Sequence, residues 1–350
     1  MEQNVTIQEG YARLKKTRAL FIGGLLIALV ILIGVAVTLG SADYTMAESY
    51  IAILAGLFPG RFTAPEMAEI IVWDYRLHRV LFAVCAGFGL AVAGSIMQGI
   101  LRNPLASPFT LGIASAATTG ASIAIVLGAG VVGGEYLVIG NAFLFALLAA
   151  LAIYGMARYR GIGSETMVLA GIAIMYLFSA VTSLLQYVGS AEQLRAVVFW
   201  TFGSVDKSTW PKLAIVSLVL ACTIPYLLYR AWDLNALAEG DEVAASLGVP
   251  VERSMILFMM IASLITAVII CFTGTIGFIG LVAPHITRMV IGGDFRTLIP
   301  ASGLVGALLL LGADSIARSI LAPQVLPVGI VTAFLGVPFF IYLFMHRRNA

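Results

Sequence analysis

The sequence is poor in charge, in cysteine and in the signatures that bind phosphates or metals. Only 11% of its 350 residues are charged, against 61% hydrophobic. A soluble domain carries roughly 25% charged residues, so this composition excludes an ordinary water-soluble fold and fits a polytopic membrane protein. A net charge of +2 is too small for the basic surface that nucleic acid requires. Cys85, Cys222 and Cys271 stand singly in apolar stretches, with no CxxC and no histidine at ligand spacing. They read as small hydrophobes, not as bridges or ligands. The chain has no GxxxxGK[ST] loop: "FGSVDKST" (202–209) lacks the second glycine and reads as an exterior loop. No cleavable leader is evident, because the polar start, Met1 to Arg18, runs into an apolar stretch without a small-residue cleavage site.

What is present is a series of apolar runs, each near the length of about 20 residues that crosses a bilayer core. They cover about 19–40, 77–98, 106–128, 137–157, 166–188, 212–230, 254–273, 276–292, 299–317 and 326–345. The predicted fold is therefore an all-α integral membrane protein with ten transmembrane helices in a single domain, 1–350. The seventh and eighth runs meet at "FTGTIGFIG" (272–280), a glycine-rich break allowed at membrane depth only where protein covers it.

Ten spans place both ends on one side. With those ends cytoplasmic, thirteen Lys/Arg lie inside, including Arg13, Lys15, Lys16, Arg18, Arg347 and Arg348. Seven lie outside: Arg61, Arg76, Arg79, Arg195, Lys207, Lys212 and Arg318. The bias has the expected direction. Trp73, Trp210 and Trp232 fall at span ends, as an interfacial belt would place them.

One stretch breaks the apolar pattern. "LAEGDEVAASLGVPVER" (237–253) is polar and acidic, lies between the sixth and seventh spans, and is cytoplasmic in this orientation. Leu237, Val243, Ala244 and Leu247 recur at near-helical spacing, and Gly248 and Pro250 end the pattern. This predicts a short amphipathic helix, a turn and the next span. Its acids disfavour anionic lipid and favour a cytoplasmic protein partner.

No predicted span carries Asp, Glu, Lys or Arg near its middle. The alternative reading, an ion-coupled secondary transporter of a small organic solute, needs such groups. An intramembrane enzyme would need a paired nucleophile and base or a metal cluster. His285, after Pro284, reads as a hydrogen-bonded histidine in a kinked helix.

Four stretches in order are specific: 76–117, beginning "RLHRVLFAVCAGFGLAVAGSIMQGILRNPLASP"; 237–253; 274–318, beginning "GTIGFIGLVAPHITRMV"; and "LPVGIVTAFLGVPFF" (326–340). From about residue 19 onward the chain resembles the FecCD-type permeases, the membrane subunits of binding-protein-dependent ABC importers for iron–siderophore complexes, vitamin B12 and haem. The resemblance implies one permease domain with a cytoplasmic tail (1–18), in the cell membrane, which is not itself an enzyme. It implies a second permease copy, two ATP-binding subunits that hold ATP and Mg, so that this chain binds no cofactor, and an extracytoplasmic substrate-binding protein. Residues 231–253 become the segment that seats in the ATPase, with Leu237, Glu239, Val243, Ala244, Leu247 and Gly248 as its contacts. Arg76, Arg79 and Arg318 match the arginines that receive the binding protein, with Asp314 one turn before Arg318 to hold it. The family's "R-x-P-R" reads "RLHR" here, with His78 in place of proline. Ser164 and Glu165 match the cytoplasmic gate before the fifth span, and the fifth span matches the pathway wall. The cargo implied is a metal chelate, a ferric siderophore first, then a cobamide or haem.

Overall fold

The computed structural model describes residues 2–40 and 44–346. Arg347 and Arg348, assigned to the inner side by the charge bias, lie outside the described residues. The helices are α1 (Glu2–Thr38), α2 (Met46–Leu57), α3 (Glu66–Ile71), α4 (His78–Ile100), α5 (Ile113–Leu127), α6 (Leu137–Arg160), α7 (Ser164–Val188), α8 (Ala191–Phe202), α9 (Trp210–Tyr229), α10 (Ala231–Glu239), α11 (Asp241–Ser246), α12 (Val251–Thr273), α13 (Ile279–Ile291), α14 (Phe295–Ser319) and α15 (Val328–His346). No strand occurs among the described residues beyond one isolated bridge, Pro59 with Phe62.

Among the described residues seven helices are long and apolar enough to cross a membrane: Ala12–Thr38, Glu66–Ile100, Gly134–Arg160, Ser164–Val188, Trp210–Tyr229, Val251–Thr273 and Phe295–Ser319. Each coincides with a predicted span. The other three predicted spans fall on shorter apolar helices, Ile113–Leu127, Ile279–Ile291 and Val328–Phe339. A further short apolar helix, α2, was not anticipated: its twelve residues fall below spanning length. It starts at a capping box in which Thr45 and Glu48 satisfy each other's backbone N–H. The second span also begins earlier than expected. A π-helical turn, Val72–Leu77, joins α3 to α4 into one helix from 66 to 100. Arg76 and Arg79 are therefore within the helix, not at its start.

The centre of the bundle is α4, packed on α12, α13 and α14. Glycine sets the closeness of these contacts. A Cβ on Gly94 would lie 1.6 Å from the Gly280 carbonyl oxygen, and one on Gly87 2.3 Å from that of Gly306. In lipid no hydrophobic force drives helix against helix, so backbone approach through small residues supplies the dispersion that holds them.

The glycine-rich break is covered by protein, as the bilayer demands. The Ser204 N–H donates to Thr273 O at 2.7 Å, and Thr275 Oγ1 donates to Thr201 O. Gly274 stands at φ +70, where a Cβ would meet Trp200 O at 2.1 Å. The end of α8 thus covers the break between α12 and α13.

Two ends of the bundle carry the polar groups. On the tail face, where α1 begins, Arg18 reaches Ile291 O (3.1 Å) and Asp294 (3.1 Å), tying α1 to the α13–α14 turn. On the far face, α1 and α14 end beside the π-helical turn.

Candidate functional site

The tail face carries the acidic stretch. It forms two helices, not one, because Gly240 at φ +131 breaks the run between α10 and α11, a backbone conformation open to glycine. Ala236 and Leu237 are buried from α10, and Ala244 from α11. Val243 and Leu247, four residues apart, are 43% and 68% exposed, and Glu239 is exposed. Of the apolar residues singled out from sequence, Leu237 and Ala244 therefore anchor the segment, and only Val243 and Leu247 project outward. Gly248, at φ +81, closes α11: its N–H donates to Ala245 O and the Val249 N–H to Ala244 O, both at 3.0 Å.

Arg102 ties this segment to the rest of the face. It ends α4 in a left-handed conformation, φ +47, uncommon outside glycine. Its Nη1 donates to Asp241 Oδ1 at 2.8 Å and its Nη2 to Asp241 Oδ2 at 3.3 Å. Nη2 also reaches Ser164 Oγ at 3.4 Å, and that hydroxyl donates to Ile100 O at 3.2 Å. Three segments distant in sequence, the ends of α4 and the starts of α7 and α11, meet at one guanidinium. Ser164 is half-buried as the first residue of α7, and Glu165 beside it is exposed. No local spacing in the sequence relates residues 102, 164 and 241.

Next to α11 opens a cleft of about 950 Å³, with Trp232, Val243, Leu247 and Met289 among its apolar lining. At its edge Asp294 caps α14 and accepts from Arg296, Asn235 and Arg18. The hydrogen bonds from Arg296 first, then that from Asn235, hold its carboxyl well below the usual carboxylate range, against the opposing effect of burial. Arg296 also lies over the Trp232 ring, 4.1 Å from its centroid. Among the described residues no group of three His, Cys, Asp or Glu could hold a metal ion.

The far face gathers the three predicted arginines at one cavity, two of them on a single acid. Asp314 is fully buried. Arg79 donates to Asp314 Oδ1 from Nη2 at 2.7 Å and from Nε at 3.1 Å. Arg318 Nε lies 3.0 Å from Asp314 Oδ2, an ion pair one helical turn apart that is not aligned as a hydrogen bond. The other Arg318 nitrogens donate to Leu39 O and Ala36 O, and Arg76 Nη1 to Val37 O and Thr38 O. These carbonyls are at the C-terminal end of α1, where unpaired acceptors and the negative end of the helix dipole favour cations. One carboxylate among three guanidinia leaves positive charge over. The arginines are more buried than rim residues would be, yet all three line a cavity of about 300 Å³ with Tyr75, Pro323 and Val325.

His78, the departure from "R-x-P-R", has a job that the sequence did not show. Its Nε2 sits on Asp74 O and its Nδ1 on Ser208 Oγ at 3.0 Å. The ring serves the carbonyl of a residue in the π-helical turn and ties that turn to the start of α9.

These features occur in a known setting. The profile of the FecCD transport family matches residues 25–346. The chain is 38% identical to the hemin transport system permease of Yersinia pestis, over 94% of this chain and 96% of that protein. It is 40% identical to the cobalamin import system permease of Halobacterium salinarum, over 83% and 77%. A solved structure described as a metal-chelate type ABC transporter in an inward-facing conformation superposes with a TM-score of 0.81 at 30% identity, covering 93% of this chain and 98% of that one. The protein is a multi-pass membrane protein and belongs to the FecCD transport family of ABC importer permeases, whose members are not themselves enzymes.

Proposed function

We propose that this chain is the translocation subunit of an ABC importer for a bulky metal chelate, with a ferric siderophore as the first cargo to test and cobalamin and haem as the alternatives. The observation that carries the reading is on the tail face. Two exposed apolar side chains, Val243 and Leu247, stand on a short helix anchored by Ala244 and Leu237 and tied by Arg102 to the start of α7.

In this reading the tail face is cytoplasmic, both termini lie there, and Arg13, Lys15 and Lys16 near the start of α1 agree with that side. Ten spans result if α5, α13 and α15 cross within the bundle, and residues 1–350 form one permease domain. Two ATP-binding subunits dock on α10–α11 and hold the ATP and Mg; this chain binds no cofactor. A binding protein presents acidic side chains to the cavity at Arg76, Arg79 and Arg318. A second copy of the permease faces α7, whose Leu169, Tyr176, Leu177, Leu184 and Tyr187 are more than half exposed, and cargo passes between the two copies. Ser164 and Glu165 stand at the inner gate, where Arg102 passes movement of α11 to α7. Asp314, a fully buried carboxylate within a span, is locked between two arginines, which suits structure better than proton carriage.

The test is reconstitution in proteoliposomes with the cognate ATP-binding subunit and binding protein. ATP-dependent uptake of one chelate is expected, lost when Leu247 becomes Glu. Uptake without the ATPase would sink the reading, as would full uptake by the Leu247→Glu protein.

A further inference from the structure

Two side chains in the cleft beside α11 carry polar groups without a partner among the described residues. Gln98, near the end of α4, is 1% exposed. Its Nε2 donates to Leu281 O at 3.2 Å, which settles which amide atom is which. Its Oε1 has no partner among the described residues. Arg288 lies on α13, seven residues or about two turns beyond Leu281, and lines the same cleft half-buried. Its guanidinium has no hydrogen-bond or ion-pair partner among the described residues. The other cleft arginines are answered within the chain, Arg102 by Asp241 and Arg296 by Asp294.

A desolvated acceptor and a half-buried cation left without partners are costly to keep. They are well placed for an occupant bearing a carboxylate for Arg288 and an N–H or O–H donor for Gln98 Oε1. The cleft, about 950 Å³, has room for several side chains, not just an ion. Its apolar lining includes Val243 and Leu247, the same residues that form the proposed docking ridge, so whatever covers that ridge lies at the mouth of the cleft.

We propose that the ATP-binding subunit inserts an acidic segment into this cleft, pairing a carboxylate with Arg288 and a donor with Gln98. The inference rests on the docking reading above and deepens it. Docking is then reciprocal: a permease ridge enters the ATPase, and an ATPase segment enters the permease between α11 and α13. Movement of the ATPase would act on both helices at once.

The experiment measures the affinity of the cognate ATP-binding subunit for the full-length permease in nanodiscs across a series of NaCl concentrations. Arg288→Gln is expected to weaken association about tenfold at low salt and to flatten its salt dependence. Arg288→Lys should keep that salt dependence. In parallel, a maleimide should modify Met289→Cys, at the exposed lip of the cleft, in the permease alone and not after the ATPase is added; this arm stands even if Arg288→Gln fails to fold. Unchanged affinity and salt slope for Arg288→Gln, or undiminished labelling at position 289, overturns the inference. Leu247→Glu separates the two ideas. If it abolishes association while Arg288→Gln and the label report nothing, docking survives and the inserted segment does not. If it too leaves association unchanged, the docking reading itself has failed.

Discussion

The two ends of this bundle hold their charges in opposite ways. On the far face one fully buried aspartate is shared by Arg79 and Arg318, and the surplus guanidinium nitrogens are taken up by α1 carbonyls. On the tail face the pair Arg102–Asp241 leaves its side chains 33% and 42% exposed. The first arrangement joins α1, α4 and α14 rigidly and stays screened from solvent. The second joins the ends of three helices at an open face, and water and salt keep it weak. Burial thus separates a charge cluster that builds a fixed surface from one that can be made and broken.

The largest break in that contrast comes from Asp314→Ala. Removing the shared counter-charge strands the buried Arg318 and the partly buried Arg79, and a loss of about 3–5 kcal/mol is expected, read as a fall in the thermal unfolding midpoint in detergent. A smaller loss follows on the tail face from Ala244→Glu, which buries a charge without a partner and should cost about 2–4 kcal/mol. Leu247→Glu, one turn away and exposed, should change stability by less than about 0.5 kcal/mol while abolishing binding of the ATPase; equal melting losses for the two would erase the distinction between anchor and ridge. A double-mutant cycle on Arg102 and Asp241 should return a coupling of only about 0.2–1 kcal/mol, shrinking as salt is raised. The Arg79–Asp314 coupling should hardly respond to salt.

The smallest effect concerns pH. Asp294 has a folded-state pKa below its unfolded one. Its contribution is therefore complete above the ordinary carboxylate pKa near 3.8 and is lost as pH falls through the lower folded value. Unfolding midpoints of wild type and Asp294→Asn should differ by a constant amount from pH 8 to pH 5 and converge only below about pH 4. A difference that changes between pH 8 and pH 5 would contradict the assigned network.

Much of the fold was legible because lipid imposes length and apolarity on every spanning helix. The seven long spans were visible as hydropathy, and the break at 272–280 as glycine. The start of the second span was not, since Glu66, Glu69 and Asp74 interrupt the apolar run that the helix nonetheless continues through. The single amphipathic helix read over 237–247 became two because a glycine conformation, φ +131 at Gly240, is chosen by packing and not by periodicity. Of the site residues, the arginines and the acidic segment could be named from their motifs. Which members turn inward could not: Ala244 and Leu247 are both apolar, and only the neighbours of α11 decide which is covered.

By itself the sequence determined that this chain lives in a bilayer, how its helices divide, and which short segments are polar enough to meet other proteins, because those properties follow from composition and local period. Only the tertiary structure decided that Arg76, Arg79 and Arg318 share a site with Asp314, that Arg102 joins Ser164 to Asp241, and that Gln98 and Arg288 open on one cleft. Such meetings depend on how close helices far apart in the chain can approach, and here that closeness is set by Cβ atoms missing at Gly87, Gly94, Gly280 and Gly306.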